Sequence, residues 1–257
     1  MIPRVLVIAG SDSGGGAGIQ ADIKTVTMLG GHAITAITAI TAQNTRGVQS
    51  VMPVPAEMVL AQMRSVLDDI GVDAVKIGML GSAETAHAVA DVLDEIEAPM
   101  VFDPVMVATS GDMLADAATI AAFGRLMGIA TLTTPNLPEF EALERLHLLA
   151  RDQGRLLLLK GGHSKGATIT DRLIGPRGEI AIWTNPRIDT RHAHGTGCTL
   201  ASAIATGLGS GLPLVDAVSR AIAFVRAALA NAPALGAGHG PMGHALGTIP
   251  FDLVRNA

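Results

Sequence analysis

The sequence predicts an α/β protein, a three-layer α/β/α arrangement in which a mostly parallel central sheet carries helices on both faces. Three observations point there. Short apolar runs that end in turn residues alternate with longer segments of helical spacing. Apolar residues make up 49% of the 257 and charged residues 16%, so the interior is large and the composition is not that of a disordered chain. Aromatic residues are only 2%, which leaves Ala, Val, Ile, Leu and Met to fill the core, as suits strands covered on both faces.

The elements follow in order. Strand-like runs lie at Val5 to Ala9, Ala33 to Thr41, Ala74 to Ile77, Met100 to Phe102, Ala130 to Thr133 and Leu156 to Leu159. The echo "AITAITAIT" from Ala33 is β-branched and reads as one strand. Between the strands, helical spacing marks Ala17 to Leu29, Pro55 to Ile70, Ala83 to Ile96, Asp116 to Met127 and Pro138 to Leu149. The second of these opens with proline in its first turn, where no backbone donor is lost. A hairpin is expected from Thr168 to Ile174 and Glu179 to Trp183 around Gly175-Pro176-Arg177-Gly178. Two helices follow, from about Thr196 and from Pro213, and helix-forming sequence closes the chain.

The length suits one domain over residues 1–257. A net charge of −5 without a Lys/Arg block argues against a nucleic-acid or anionic-membrane surface and for small-molecule partners. One cysteine makes no intramolecular disulfide, and the first residues form no charged and then apolar leader, so the cytoplasm is the expected location. The charge-free run from Thr25 to Thr45 is long enough to span a bilayer, but Gly30, Gly31, His32, Gln43, Asn44 and its threonines mark it as soluble core.

Ligands of such sheets bind beyond the carboxyl ends of the strands, where the loops here are rich in polar and small residues. The first, Gly10 to Gly18, contains Gly16-Ala17-Gly18-Ile19-Gln20-Ala21, which fits a dinucleotide fingerprint. No acid lies between Asp22 and Glu57 to hold a ribose, so that reading fails, and the loop is either a tight turn or a place of close backbone approach to a ligand. Gly-Lys-Ser/Thr is absent, which removes P-loop NTPases.

The segment "HGTGCTLASAIA" delivers Cys198 to a predicted helix start. Unpaired N–H groups and the dipole there make an anion hole, with Gly195 and Gly197 letting the backbone close around a phosphoryl group. The same field is expected to lower the Cys198 pKa and make the thiol a base, although a lone cysteine is otherwise a small buried hydrophobe. Phosphoryl transfer needs a divalent cation on oxygen ligands. Asn136 and Glu139, three apart, would face one side of an early helical turn, and Asp103 at the end of the fourth strand is a further candidate. His192 and His194 lack a third ligand nearby, and His239 and His244 sit in a Gly-rich tail, so no zinc site is expected.

The motifs "VLVIAGSDSGGGAGIQADIKT", "AITAQNTRGVQSV", "VKIGMLGS", "VFDPVMVATSGDML", "TPNLPE", "KGGH" and "HGTGCTLASAIA" resemble, in order and spacing over nearly the whole chain, the bacterial hydroxymethylpyrimidine/phosphomethylpyrimidine kinases of thiamine biosynthesis. The resemblance implies a ribokinase-like fold, a homodimer, and ATP with Mg2+. It implies that Gln43 hydrogen-bonds an aminopyrimidine ring, that Met79 packs on it, and that Gly10, Ala17, Asp22 and Val105 line the same pocket. It makes Cys198 the base in place of an aspartate, assigns the phosphate and ATP to Gly195, Thr196, Gly197, Lys160 and Asp103, and gives Mg-ATP to Asn136 and Glu139. Two departures are visible. The stretch from Asn136 to Lys160 is shorter than the family's usual one, so this segment repacks or lacks a peripheral helix, and the first loop has Ser13-Gly14-Gly15-Gly16 where Ser-Ser-Gly-Gly is common. The alternatives are a pyridoxal or pyridoxine kinase, whose relatives share the cysteine and whose substrates share the hydroxymethyl group, and a pyrimidine-binding protein without kinase activity.

Overall fold

Alternation along strand β1 (Arg4–Ala9) divides the protein into two layers of core. Leu6 and Ile8 face one side and Val5, Val7 and Ala9 the other, each side closed by its own helices. In the computed structural model, which describes residues 1–108, 111–149, 154–163 and 166–246, β1 lies inside an eight-stranded sheet. Its parallel neighbours are β2 (His32–Ile37) and β5 (Ala74–Ile77). The sheet continues in parallel through β6 (Met100–Phe102), β7 (Leu132–Thr133) and β8 (Leu157–Leu159). It ends in an antiparallel hairpin, β9 (Thr168–Gly175) and β10 (Gly178–Pro186), turned where the sequence places it.

One layer packs α2 (Ala56–Asp69), α3 (Ala83–Leu93), α4 (Ala117–Ile129) and α5 (Leu137–Arg145) over Leu6, Ile8, Val75, Ile77 and Phe102. The other packs α1 (Gly18–Met28), α6 (Thr196–Gly209) and α7 (Leu214–Ala230) over Val5, Val7, Val101 and Leu132. Helix α6 is buried continuously from Thr199 to Gly207, and its run of Ala, Ser, Thr and Gly lets it lie close to the sheet beneath α7. A ribokinase-like α/β arrangement with a mostly parallel sheet is what results.

The run from Ala33 to Thr41 is not one strand. It breaks at Thr38, whose N–H donates to Ala9 O and whose hydroxyl donates to Met79 O, and the chain then enters β3 (Ala39–Asn44). Strand β3 leaves the main sheet to pair with β4 (Gly47–Pro53), which the pattern does not announce because β4 has no buried face. In a single strand Ile34 and Ile40, six positions apart, would share a face, yet Ile34 is buried while Ile40 is exposed. Helix α5 stops at Arg145, short of the expected Leu149, and His147 follows with φ 55 in the left-handed region. No helix lies between α5 and β8 among the described residues, and residues 150–153 of the shortened stretch lie outside them. After α7 the described residues 231–246 are irregular, as their glycines and prolines dictate, and residues 247–257, where helix is also expected, lie outside the described ones. Among the described residues no helix is long and apolar enough to cross a membrane.

One charge sits in the middle of this interior. Lys76 on β5 is 0% exposed, and its Nζ lies 2.8 Å from Asp22 Oδ2 on α1, itself 0% exposed. Ser202 Oγ on α6 donates to Asp22 Oδ1 at 2.7 Å, so one carboxylate joins a strand and two helices. Burial pushes the Asp22 carboxyl up, while burial of Lys76 is outweighed by Asp22 and keeps the ammonium charged. Removing one partner of such a pair leaves a bare buried charge. Lys76→Met should therefore lower the unfolding free energy in a urea titration by about 3–5 kcal/mol, with Lys76→Met/Asp22→Asn recovering part of it. A loss under about 1 kcal/mol for the single variant would show that the pair is not the constraint described.

Candidate active site

Helices α1 and α6 begin side by side beyond the carboxyl ends of the strands, and two glycines make that possible. Gly195, the N-cap of α6, has φ 85, and a Cβ there would stand 1.9 Å from Gly16 O. Gly18 has φ 54, and a Cβ there would stand 2.3 Å from Gly10 O. Backbone therefore meets backbone, and the Gly18 N–H of α1 favours the thiolate of Cys198 in the first turn of α6. The turn expected to hold an anion, Gly195 to Gly197, opens a 14-residue helix.

The thiol does not behave as expected. Burial pushes Cys198 up to about 11, and the Lys76 charge beneath it and the Gly18 N–H only reduce that shift. The helix dipole argument assumes full solvation, whereas Cys198 is only part-exposed and Asp22 and Asp103 nearby disfavour its thiolate.

The residues expected on the phosphate side adjoin this turn. A Cβ on Gly197 would lie 3.1 Å from Asp103 Oδ2 and 3.4 Å from Lys160 Nζ. Lys160 Nζ contacts Asp103 Oδ1 at 2.6 Å and Glu139 Oε2 at 3.8 Å, and Thr134 Oγ1 donates to Asp103 Oδ1 at 3.1 Å. Burial opposes the Lys160 charge, but Asp103 and Glu139 outweigh it and raise its pKa. Burial likewise pushes Glu139 up to about 7, against Lys160 and with Asp103 adding to the rise. Asn136 and Glu139 do face one side, as expected, and the reason is a reciprocal helix cap. Glu139 N–H donates to Asn136 Oδ1 at 2.9 Å, and Asn136 N–H donates to Glu139 Oε2 at 2.8 Å. Among the described residues no three His, Cys, Asp or Glu side chains gather as a metal cage.

Gly10, expected on the substrate side, packs against Met79. Met79 Sδ is 3.2 Å from where a Gly10 Cβ would be. Gln43 is tied to the first loop, its N–H donating to Ser13 Oγ and its carbonyl accepting from the same hydroxyl, each at 2.7 Å. Ala17, the N-cap of α1, donates its N–H to Asp12 Oδ2 at 2.8 Å. Val105 follows Asp103 in a tight turn, its N–H donating to Asp103 O. Asp22 is the exception: it has no exposed surface, and its oxygens are taken by Lys76 and Ser202, so it lies beneath the pocket rather than lining it. Sequence reasoning missed Lys76, whose signal was a lone cation inside an apolar strand. It also missed the pairing of Asp12 with His194, for which no local signal exists.

A parallel sheet with two helix N-termini at its carboxyl edge and a lysine among carboxylates beside them defines a ribokinase-like phosphotransferase. The model of the phosphomethylpyrimidine kinase family matches residues 12–243, and the chain belongs to that family. It is 47% identical over 255 residues to the hydroxymethylpyrimidine/phosphomethylpyrimidine kinase of Streptomyces coelicolor, covering 94% of each chain. Among solved structures it is similar to the pyridoxal kinase of Staphylococcus aureus in complex with AMP-PCP and pyridoxal, at TM-score 0.84 and 31% identity over 95% of this chain and 94% of that one. It is also similar to the phosphomethylpyrimidine kinase of Clostridium difficile 630, at TM-score 0.74 and 33% identity over 89% of this chain and 99% of that one.

The raised pKa of the thiol gives a direct check, because Cys198 is the single cysteine and only thiolate is alkylated. Its rate of reaction with iodoacetamide, followed by mass spectrometry, should keep rising about tenfold per pH unit beyond pH 9. A plateau near pH 8 would show a thiol of ordinary or lowered pKa.

Proposed function

We propose that this protein transfers the γ-phosphoryl group of ATP to the hydroxymethyl group of 4-amino-5-hydroxymethyl-2-methylpyrimidine and then a second one to the monophosphate, giving the pyrophosphate used in thiamine biosynthesis. The observation that carries this reading is the placement of the Cys198 turn between Lys160 and Asp103 on one side and Gly10 and Met79 on the other. On this reading the acceptor ring lies on Met79, with Gln43 on its polar edge and Gly10, Ala17 and Val105 around it. Gly195, Thr196 and Gly197 offer backbone donors to the transferring group, and Lys160 carries the charge beside it.

The residues around Lys160 suit ATP, since Gly197 leaves open the space that a side chain would fill against Lys160 and Asp103. They suit Mg2+ held mainly by phosphate and water, with Glu139 and Asn136 at its outer side, rather than a protein cage. Magnesium bound to the phosphates neutralises charge as it moves to the leaving oxygen. We further propose a cytoplasmic homodimer; the exposed pair Ile40 and Met52, opposite each other in β3 and β4, gives an apolar face that suits a second copy.

The two steps ask different things of Cys198. The alcohol must lose a proton as its bond to phosphorus forms; Cys198 accepts it there as the thiolate, the minor form at working pH that the Lys76 charge favours, late in a loose transition state. The phosphate acceptor is already ionised near neutral pH, since its second pKa is about 6, and has no such need.

A second reading is favoured by the Staphylococcus aureus structure above: a pyridoxal kinase on the same scaffold. ADP release with Mg-ATP and hydroxymethylpyrimidine, its phosphate or pyridoxal separates the two, with turnover on both pyrimidines expected. Turnover on pyridoxal alone would transfer the protein to the second reading, and silence on all three would favour a binding protein. Cys198→Ala should reduce turnover of hydroxymethylpyrimidine by about 10²- to 10⁴-fold. It should change turnover of the monophosphate by less than about tenfold. Equal losses on both acceptors would remove the proton-accepting role.

A further inference from the structure

We propose that Asp12 and His194 form a positioning clasp that holds the anion-binding turn of α6 against the substrate-side loop. This deepens the kinase reading and rests on it. Asp12 is 1% exposed although it sits in a loop of serines and glycines. Its carboxylate gathers that loop: Gly14 N–H donates to Oδ1 at 2.8 Å, and Gly16 and Ala17 N–H donate to Oδ2 at 2.9 and 2.8 Å. A fourth bond leaves the loop. His194 Nε2 lies 3.0 Å from Asp12 Oδ2, and because an ionised carboxylate only accepts, Nε2 carries the hydrogen.

His194 immediately precedes Gly195, so this bond sets where the turn that opens α6 stands. The opposite side of His194 is fixed as well, its N–H donating to Gly240 O at 3.2 Å in a bridge to the segment after α7. Contact completes the clasp, since a Cβ on Gly16 would meet His194 Cδ2 at 2.6 Å. The Gln43 side chain also favours the ionised Asp12, so one buried carboxylate bears on both the residue offered to the acceptor ring and the turn offered to the phosphoryl group. Burial alone would favour the neutral acid, but the bonds from His194, Gln43 and Ala17 hold the carboxyl well below its usual range, so it is ionised at working pH. Neither residue touches the reacting atoms; their effect passes through Gly195 to Cys198.

The test combines hydrogen–deuterium exchange of the amides of residues 195–199 with kcat for hydroxymethylpyrimidine and its calorimetric Kd. The variants are His194→Ala and His194→Gln, each also in an Asp12→Asn background. Glutamine returns an N–H at the reach of Nε2 without the imidazole. His194→Ala should exchange these amides about tenfold faster. It should lose about 10²-fold in kcat, with Kd changed by less than about threefold. His194→Gln should restore both readouts to within about threefold of wild type, and should lose that restoration when Asp12 is Asn. Unchanged exchange in His194→Ala, or equal behaviour of His194→Gln in the two backgrounds, would overturn the clasp. If His194→Ala fails to fold, His194→Gln in the two backgrounds decides alone. Exchange is measured without substrate, so an inactive wild type would defeat the kinase reading and leave this comparison standing.

Discussion

The buried ion pair between Lys76 and Asp22 is the constraint on which the rest of the arrangement depends. Strand β5 would otherwise be a plain apolar strand, and α1 and α6 would be free to slide over it at little cost in buried area. A single misregister would leave a charge unpaired in the interior, at a penalty far greater than the loss of a few apolar contacts. With Ser202 also bound to Asp22, the two helices whose N-termini make the site are held to the strand beneath them. Such a pair adds little net stability over an apolar packing of the same volume; what it adds is a unique register.

Above that pair the site is made chiefly of backbone. Side chains at Gly16, Gly18, Gly195 or Gly197 would collide with carbonyls, His194 or Asp103, so the two loops approach at distances that only main chain allows. Backbone donors at a helix start are already oriented, and no side-chain entropy is lost when an anion arrives. The charged groups are set around that opening with opposite signs in contact: Lys160 between Asp103 and Glu139, and Lys76 beneath Cys198. Lys160 thus waits as a partly compensated cation, at 13% side-chain exposure, beside the place where phosphate charge would develop.

Much of this was legible in the sequence. The alternation of strands and helices, the hairpin at Gly175 to Gly178 and the start of α6 at Thr196 follow from local chemistry, and the structure has each of them. What failed did so where tertiary contacts overrule local pattern. Thr38 ends β2 because Ala9 and Met79 offer it partners, and β4 exists because β3 needs a neighbour after leaving the sheet. The site residues could be gathered from motifs at strand ends, but their electrostatics could not. The rise in the Cys198 pKa comes from partial burial, with Asp22 and Asp103 adding to it, and Asp22, which the family resemblance puts in the pocket lining, is instead bonded to Lys76, 54 positions away. The bond between Asp12 and His194 spans 182 positions and has no sequence signature at all.

The claim that the opening turn of α6 receives the transferring phosphoryl group is tested most directly by a crystal structure with ADP, magnesium, aluminium fluoride and hydroxymethylpyrimidine. The metal fluoride should sit within hydrogen-bond distance of the Gly197 and Cys198 N–H groups, between Lys160 and a ring packed on Met79. A fluoride bound away from that turn, or a pyrimidine seated elsewhere than between Gln43 and Met79, would contradict it.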